Sequence, residues 1–415
     1  MTQSSTKRWT KKSIAALLIG AGMCVLGLIG WGYQLFAGMA VTNMRNSFSW
    51  GLYMANFEFL IAMSTGGLLV FSIAYLWKVE ALKPFVKIGV IGSLACVFAS
   101  GVAIFQDLGE PFHSLYMILT ANVISPLFWD VIVLTLHVVL SIAATVLVLL
   151  PGTKKHKGDR GYEAANDEKC RKLARFTFPF CFMVNGVTSL MFATQSTREW
   201  WHSALIPINA CAEAAAVGMG FMIVLSVIMM DNETFNRAED GIRIMAKIEV
   251  WSIIAYIAMS FLELIPIAWS GSQEGQHLLH LVLHTYGGLF WAEIILPFIA
   301  MLIFKFAPGL GKGPVFVAGI LVIIGIFIQR MMLFLPAFNA FTLTLPVAGE
   351  LWTFPIAVGT FTEGQDVFVR FWDYAPSVIE WVLSLLPFGL IVFVMAGADI
   401  LFRMFPEPYE ENTIV

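Results

Sequence analysis

Along this chain, long apolar runs alternate with short polar interruptions, and the runs share one length. Ten stretches, approximately 14–36, 51–77, 83–105, 127–150, 173–194, 205–229, 247–269, 282–305, 314–336 and 376–404, are mainly apolar. At about 1.5 Å of rise per residue, a run of about 20 residues crosses a hydrocarbon core of about 30 Å as an α-helix. Strands of a membrane barrel would be shorter and would alternate in polarity. The pattern predicts an all-α integral membrane protein with about ten transmembrane helices.

Composition agrees: 58% of the 415 residues are hydrophobic and 13% charged, with a mean hydropathy of +0.79. That excludes a soluble globular domain and leaves membrane lipid as the obligatory neighbour. The first run follows Lys7, Arg8, Lys11 and Lys12 and resembles a secretion signal. It continues to Phe36 without a convincing small-residue cleavage site, so we read it as a retained anchor. The five cysteines form no C-x-x-C pair, so neither a zinc site nor an iron–sulfur cluster is expected within the chain.

Ten spans place both termini on one side. Of the 25 Lys and Arg residues, 21 fall on that side, whereas only Arg45, Arg198 and Arg370 fall on the other and Arg330 lies inside the ninth span. The positive-inside rule therefore predicts cytoplasmic termini, with the chain in a bacterial inner membrane. The basic run between spans four and five reads as a solvated cytoplasmic loop, and nothing in it suggests a nucleic-acid partner. The outer segment of roughly forty residues before the last helix is longer than a connection needs, which suits either partner docking or a self-packed cap.

This topology fixes the depth of each polar residue inside a span. Glu58, Asp130, Glu213, Glu263 and Arg330 fall toward the outer ends of their helices, and His137, Asn185 and Glu293 fall nearer the midplane. Unpaired charges there are costly, so such groups face a bundle interior or a wet path and pair with one another. Asp130 and His137 stand seven residues apart, two turns along one face. For any one of these residues a packing hydrogen bond is an equal explanation; the set as a whole points to function.

"LFWD" at Leu127–Asp130 and "LFWAE" at Leu289–Glu293 each open an outside-to-inside helix, and each follows an acid in an earlier helix of that direction, Glu58 or Glu213. Matching direction and spacing suggest a parallel duplication of spans 2–5 and 6–9. The expected divisions are 1–50 (tail, first helix and outer loop), 51–194 and 195–336 (two four-helix bundles), and 337–415 (long outer loop, last helix and tail).

"SWGLYMANFEFLIAMSTGGL" (49–68), "DLGEPF" (107–112) and "SPLFWDV" (125–131) resemble the NrfD / polysulfide reductase membrane-subunit family. Specifically, they are similar to its longer ten-helix members, as in alternative complex III and menaquinone reductase complexes. The resemblance implies a quinone-interacting anchor with neither haem nor iron–sulfur cluster of its own. It further implies an iron–sulfur subunit on the periplasmic face, with molybdopterin-type subunits or multihaem cytochromes c as further partners. By motif position Asp130 matches an acid of the family's quinone site, and Asp107 falls in its "DLGRP"-like loop. Two positions depart from the pattern: Glu110 stands where the family often has Arg, and Ser64–Thr65 stand where several relatives place a His.

The expected chemistry is quinone reduction or quinol oxidation, with menaquinone the expected species and with Asp130, His137 and Glu58 handling protons. Asp107, His113, Asn122, Phe128 and Trp129 are the candidate quinone contacts. Asn185, Glu213, Glu263, Glu293 and Arg330 are candidates for a proton path, and no metal site is expected. Other classes remain open on the residues alone. A haem b-type anchor would need paired histidines at membrane depth, where His137 stands as the clear midplane example. An ion- or proton-coupled transporter would also use duplicated bundles and midplane acids, and a purely structural anchor would need neither.

Overall fold

The computed structural model describes residues 11–45, 48–152, 156, 158–306, 311–347, 350–356, 374–402 and 404. Among the described residues, ten helices are long and apolar enough to cross a membrane: α1 Lys11–Ala37, α2 Leu52–Leu76, α3 Lys83–Asp107, α4 Pro126–Leu149, α5 Arg160–Ala193, α6 Ile206–Met229, α7 Glu239–Ser270, α8 Gly287–Phe306, α9 Lys312–Asn339 and α10 Val378–Phe402. A helix satisfies its own backbone hydrogen bonds, which is what lipid requires. The protein is an all-α integral membrane protein, with one antiparallel hairpin, β1 Phe341–Val347 and β2 Glu350–Ile356, beyond the end of α9.

Each of α2–α5 packs on its neighbour and α5 returns to α2, closing a four-helix ring; α6–α9 close a second ring in the same order. The rings meet through α2, α5, α6 and α9. At their centre lies α2, buried along nearly all its length. Lipid offers no hydrophobic drive for helices to associate, so close packing depends on small residues. Gly66 and Gly67 supply them. A Cβ on Gly66 would stand 2.1 Å from the carbonyl oxygen of Gly218 on α6, and one on Gly67 would stand 1.9 Å from that of Gly89 on α3.

Helices α1 and α10 form an antiparallel pair outside the rings, seated on α3. Gly20, Gly27 and Gly30 of α1 meet Phe393, Leu386 and Leu383 in descending order, and Ser13 Oγ donates to Asp399 Oδ2 at 2.7 Å. Lys11 and Phe402 thus share one end of the bundle, the terminal side; the end bearing Ala37 and Pro126 is the far side.

Two spans differ from the sequence reading. Helix α5 begins at Arg160, inside the stretch read as a solvated loop, because the Asp159 carboxylate caps it by accepting the Tyr162 N–H. The eighth span is broken: a helix over Gln273–His280 runs into a π-helical turn at Leu281–Thr285 before α8 starts at Gly287. In the long far-side segment the hairpin replaces the expected loop over 341–347 and 350–356, and 348–349 and 357–373 lie outside the described residues.

Candidate functional site

Proline opens α4 at its first turn, where a missing N–H costs nothing. The helix then presents Asp130 and His137 inward, both buried. Asp130 Oδ1 lies 2.5 Å from Thr188 Oγ1 on α5, and the same hydroxyl reaches the Val184 carbonyl at 2.8 Å. A hydroxyl carries one proton. Either Thr188 donates to an ionised Asp130, or it donates to Val184 and receives a proton from a neutral Asp130.

His137 repeats the arrangement two turns deeper. Its Nε2 is 2.7 Å from Ser64 Oγ on α2, which is also 2.7 Å from the Ile61 carbonyl. The tautomer follows the direction of the Ser64 proton: if Ser64 donates to Nε2, the neutral ring carries its proton on Nδ1. That Nδ1 is buried with no hydrogen-bond partner among the described residues. The ring lies nearly parallel to Phe180 at 6.3 Å. Beside it, Asn185 Nδ2 donates to Thr65 Oγ1 at 2.7 Å. Ser64 and Thr65, the departures from the family's His, are therefore both joined to polar groups at the α2–α4–α5 seam.

Glu58 stands one and a half turns from Ser64 on α2 toward the far side, buried, with Oε1 unpartnered among the described residues. Its charged neighbours are Arg330, Asp130 and Glu213. It thus connects the first ring to a second polar group, where Arg330 Nη2 and Glu213 Oε2 form an ion pair at 2.8 Å with side chains 3% and 1% exposed. Around this pair is a cavity with about 490 Å³ of empty space, mouth included; Asn209, Glu263, Glu293, Gln329 and Ser260 supply its polar wall and Trp200 and Phe290 its aromatic one. Glu263 Oε1, Glu293 Oε2 and Arg330 Nε are buried without hydrogen-bond partners among the described residues. Tyr256 Oη donates to the Glu293 backbone carbonyl at 3.3 Å.

The structure divides the expected contact set. Asp130, His137 and Glu58 converge where α2, α4 and α5 meet. Asn185 joins them, and is thereby separated from Glu213, Glu263, Glu293 and Arg330, which line the second-ring cavity. Asp107 ends α3, and its charged neighbour is Glu380 of α10. Glu380 is fully buried, accepting from the Asn43 and Ser377 backbone N–H groups and from the Tyr374 hydroxyl; burial and this carboxylate push the Tyr374 phenol well up from its ordinary value. His113 is exposed and lies 3.9 Å from Glu110, and exposed Asn122 caps its own turn by accepting the Ile124 N–H. Trp129 is exposed and donates its indole N–H to the Val123 carbonyl at 2.9 Å, the posture of an interface-belt residue. Phe128 packs edge-on to it.

Sequence reasoning missed Thr188 and assigned no positive role to Ser64 or Thr65. Hydroxyls are common in membrane helices and give no pattern of their own; only the residue they face identifies them. It also missed Asn209 and Gln329. Among the described residues no group of three or more His, Cys, Asp or Glu is arranged to hold a metal ion.

Residues 40–342 match the family model described as polysulphide reductase, NrfD. The chain is 31% identical over 231 residues to a putative dimethyl sulfoxide reductase membrane subunit of Halobacterium salinarum, a match covering 53% of this chain and 52% of that one, about half of each. Over most of its length it is 23% identical to the Hdr-like menaquinol oxidoreductase integral membrane subunit of Archaeoglobus fulgidus, covering 96% of this chain and 95% of the other. It is 22% identical to the menaquinone reductase integral membrane subunit of Nitratidesulfovibrio vulgaris, with 94% and 92% covered. With the family model spanning most of its membrane helices, the chain belongs to the NrfD polysulphide reductase family.

Proposed function

We infer that this chain is the quinone-interacting membrane subunit of a respiratory oxidoreductase, with the quinone headgroup held where α2, α4 and α5 meet. The observation that carries the reading is the pair Asp130 and His137: two proton-active groups on one buried face, each joined to a hydroxyl that has a second acceptor, with His137 Nδ1 unpartnered among the described residues. Two relatives named for menaquinol or menaquinone chemistry support the substrate class, and menaquinone is our choice among quinones.

Reduction of a quinone to its quinol takes two electrons and two protons; oxidation returns them. Asp130 delivers or accepts one proton near the far side, and its exchange with Thr188 keeps a hydrogen bond in both protonation states. His137 lies about two turns, roughly 10 Å, deeper, so the two groups are successive stations and do not share one carbonyl. Glu58 extends the set toward Arg330. Electrons pass to or from an iron–sulfur subunit on the far side; the excess of basic residues on the terminal side supports reading that far side as periplasmic. A molybdopterin-type subunit or multihaem cytochrome c would complete the circuit.

The test is quinone-dependent turnover of the purified complex carrying Asp130→Asn or His137→Gln, after assembly is verified. Each variant is expected to lose at least about tenfold in kcat, equivalent to ~1.4 kcal/mol of barrier, with the partner's redox centres still reducible. Unchanged turnover in both would move the site to the second-ring cavity.

A further inference from the structure

The connection between α3 and α4 has an apolar surface of its own. Residues Pro111–Leu115 form a 3-10 turn that runs straight into a helical turn at Tyr116–Leu119. Phe112, Leu119 and Ile124 are 85%, 76% and 87% exposed, and Leu115, Tyr116 and Val123 are more than half exposed. Phe112, Leu115, Tyr116 and Leu119 recur at helical spacing, so they form one face and not a scatter. A patch of this kind marks a contact with something apolar.

Three observations say what that is. First, the segment leads directly into α4, a membrane-crossing helix on which Leu136, Val139, Ile142 and Val146 are exposed at helical spacing. Second, the polar groups of the segment turn inward on the segment itself. Ser114 Oγ donates to the Pro111 carbonyl at 2.6 Å and Thr120 Oγ1 to the Tyr116 carbonyl at 2.7 Å, while the Trp129 indole N–H holds the Val123 carbonyl. These bonds leave the two hydroxyls and the indole N–H satisfied without water, as lipid requires. Third, its ionisable groups, Glu110 and His113, stand together at its start, and no Lys or Arg occurs between Lys87 and Lys154.

We propose that residues 111–124 are a lipid-inserted flap, lying in the far-side interface of the bilayer against the first turn of α4. The occupant of the apolar face is the acyl-chain boundary of the membrane. Insertion is driven by apolar area and aromatic side chains, since the segment carries no basic group to attract anionic headgroups. Its link through Trp129, one residue before Asp130, fixes the far-side end of α4 at the depth of that interface.

The test is site-directed spin labelling of the purified complex in phosphatidylcholine/phosphatidylglycerol nanodiscs. Labels are placed at Leu119→Cys and Ile124→Cys, with Val139→Cys as the mid-bilayer reference and Glu233→Cys as the aqueous reference. Labelled wild type supplies the background of the five native cysteines. The proposal expects collision with oxygen to exceed collision with a water-soluble nickel chelate at 119 and 124, giving ratios between the two references. Chelate-dominated collision would place the segment in water and overturn it. Low collision with both reagents would mean a protein partner covers the face, and would overturn it equally.

Discussion

At the level of single residues, the proposed chemistry rests on hydroxyls placed against ionisable groups. Thr188→Val removes the partner of Asp130 while keeping the side chain's volume, whereas Thr188→Ser keeps the hydroxyl. The first is expected to lower quinone turnover by about tenfold and the second to leave it within about twofold, read as kcat of the assembled complex. Equal losses in both would make Thr188 a packing residue. The Arg330–Glu213 pair behaves differently, because a buried ion pair that loses one partner leaves an uncompensated charge. Arg330→Met alone is expected to cost about 3–5 kcal/mol of stability, and the double variant Arg330→Met/Glu213→Gln to recover much of it. Thermal unfolding of the detergent-solubilised complex reads both. No recovery in the double variant would show that the arginine has other essential partners, with Glu58 among its charged neighbours.

Among the helices, two glycine contacts set the packing of α2, one on α3 within the first ring and one on α6 across to the second. Gly67→Val would drive a side chain into the Gly89 carbonyl, and Gly66→Val into that of Gly218. Both variants are expected to fail to assemble, whereas Gly101→Ala, with nothing within 4 Å of its new Cβ, is expected to assemble normally by size-exclusion chromatography. On the terminal side, Asp231 caps the short helix Asn232–Arg237 by accepting the Thr234 N–H at 2.7 Å, and that bond holds its carboxyl below the ordinary aspartate range. A depressed folded value means the stabilisation is complete above the unfolded aspartate range and is lost as pH falls through the folded value. Amide exchange at Phe235 should therefore be faster in Asp231→Ala than in wild type near neutral pH, and the two should converge in acid. The sequence made the helices themselves legible, since each run is long and apolar. It did not make legible where α5 begins, because a capped polar helix and a solvated loop have the same composition, nor the π-helical break before α8. Helical periodicity puts Asp130 and His137, seven residues apart, on one face of α4, and both are buried there; Glu58 reaches them from α2, which periodicity within one helix does not tell. His113 and Asn122 lie in the segment between α3 and α4, which has no periodicity to say where their side chains point, and Trp129, although on α4, faces outward.

For the molecule as a whole, the two rings divide the polar interior into two unlike halves. The first holds two hydrogen-bonded pairs, Asp130 with Thr188 and His137 with Ser64; the second holds a cavity with an arginine and several carboxylates, and Glu58 stands between them. The two rings pack their helices in the same order but carry different groups, an acid and imidazole in one and an ion pair with spare acids in the other. Everything proposed for the mechanism depends on quinone sitting in the first. Photo-crosslinking of the assembled complex with an azidoquinone, followed by mass-spectrometric mapping of the labelled peptides, asks that question of the site itself. Quinone in the first ring would leave label on residues 126–137 of α4 and 184–192 of α5, suppressed by excess unlabelled quinone; suppressible label confined to 290–293 of α8 and 329–333 of α9 would refute that placement.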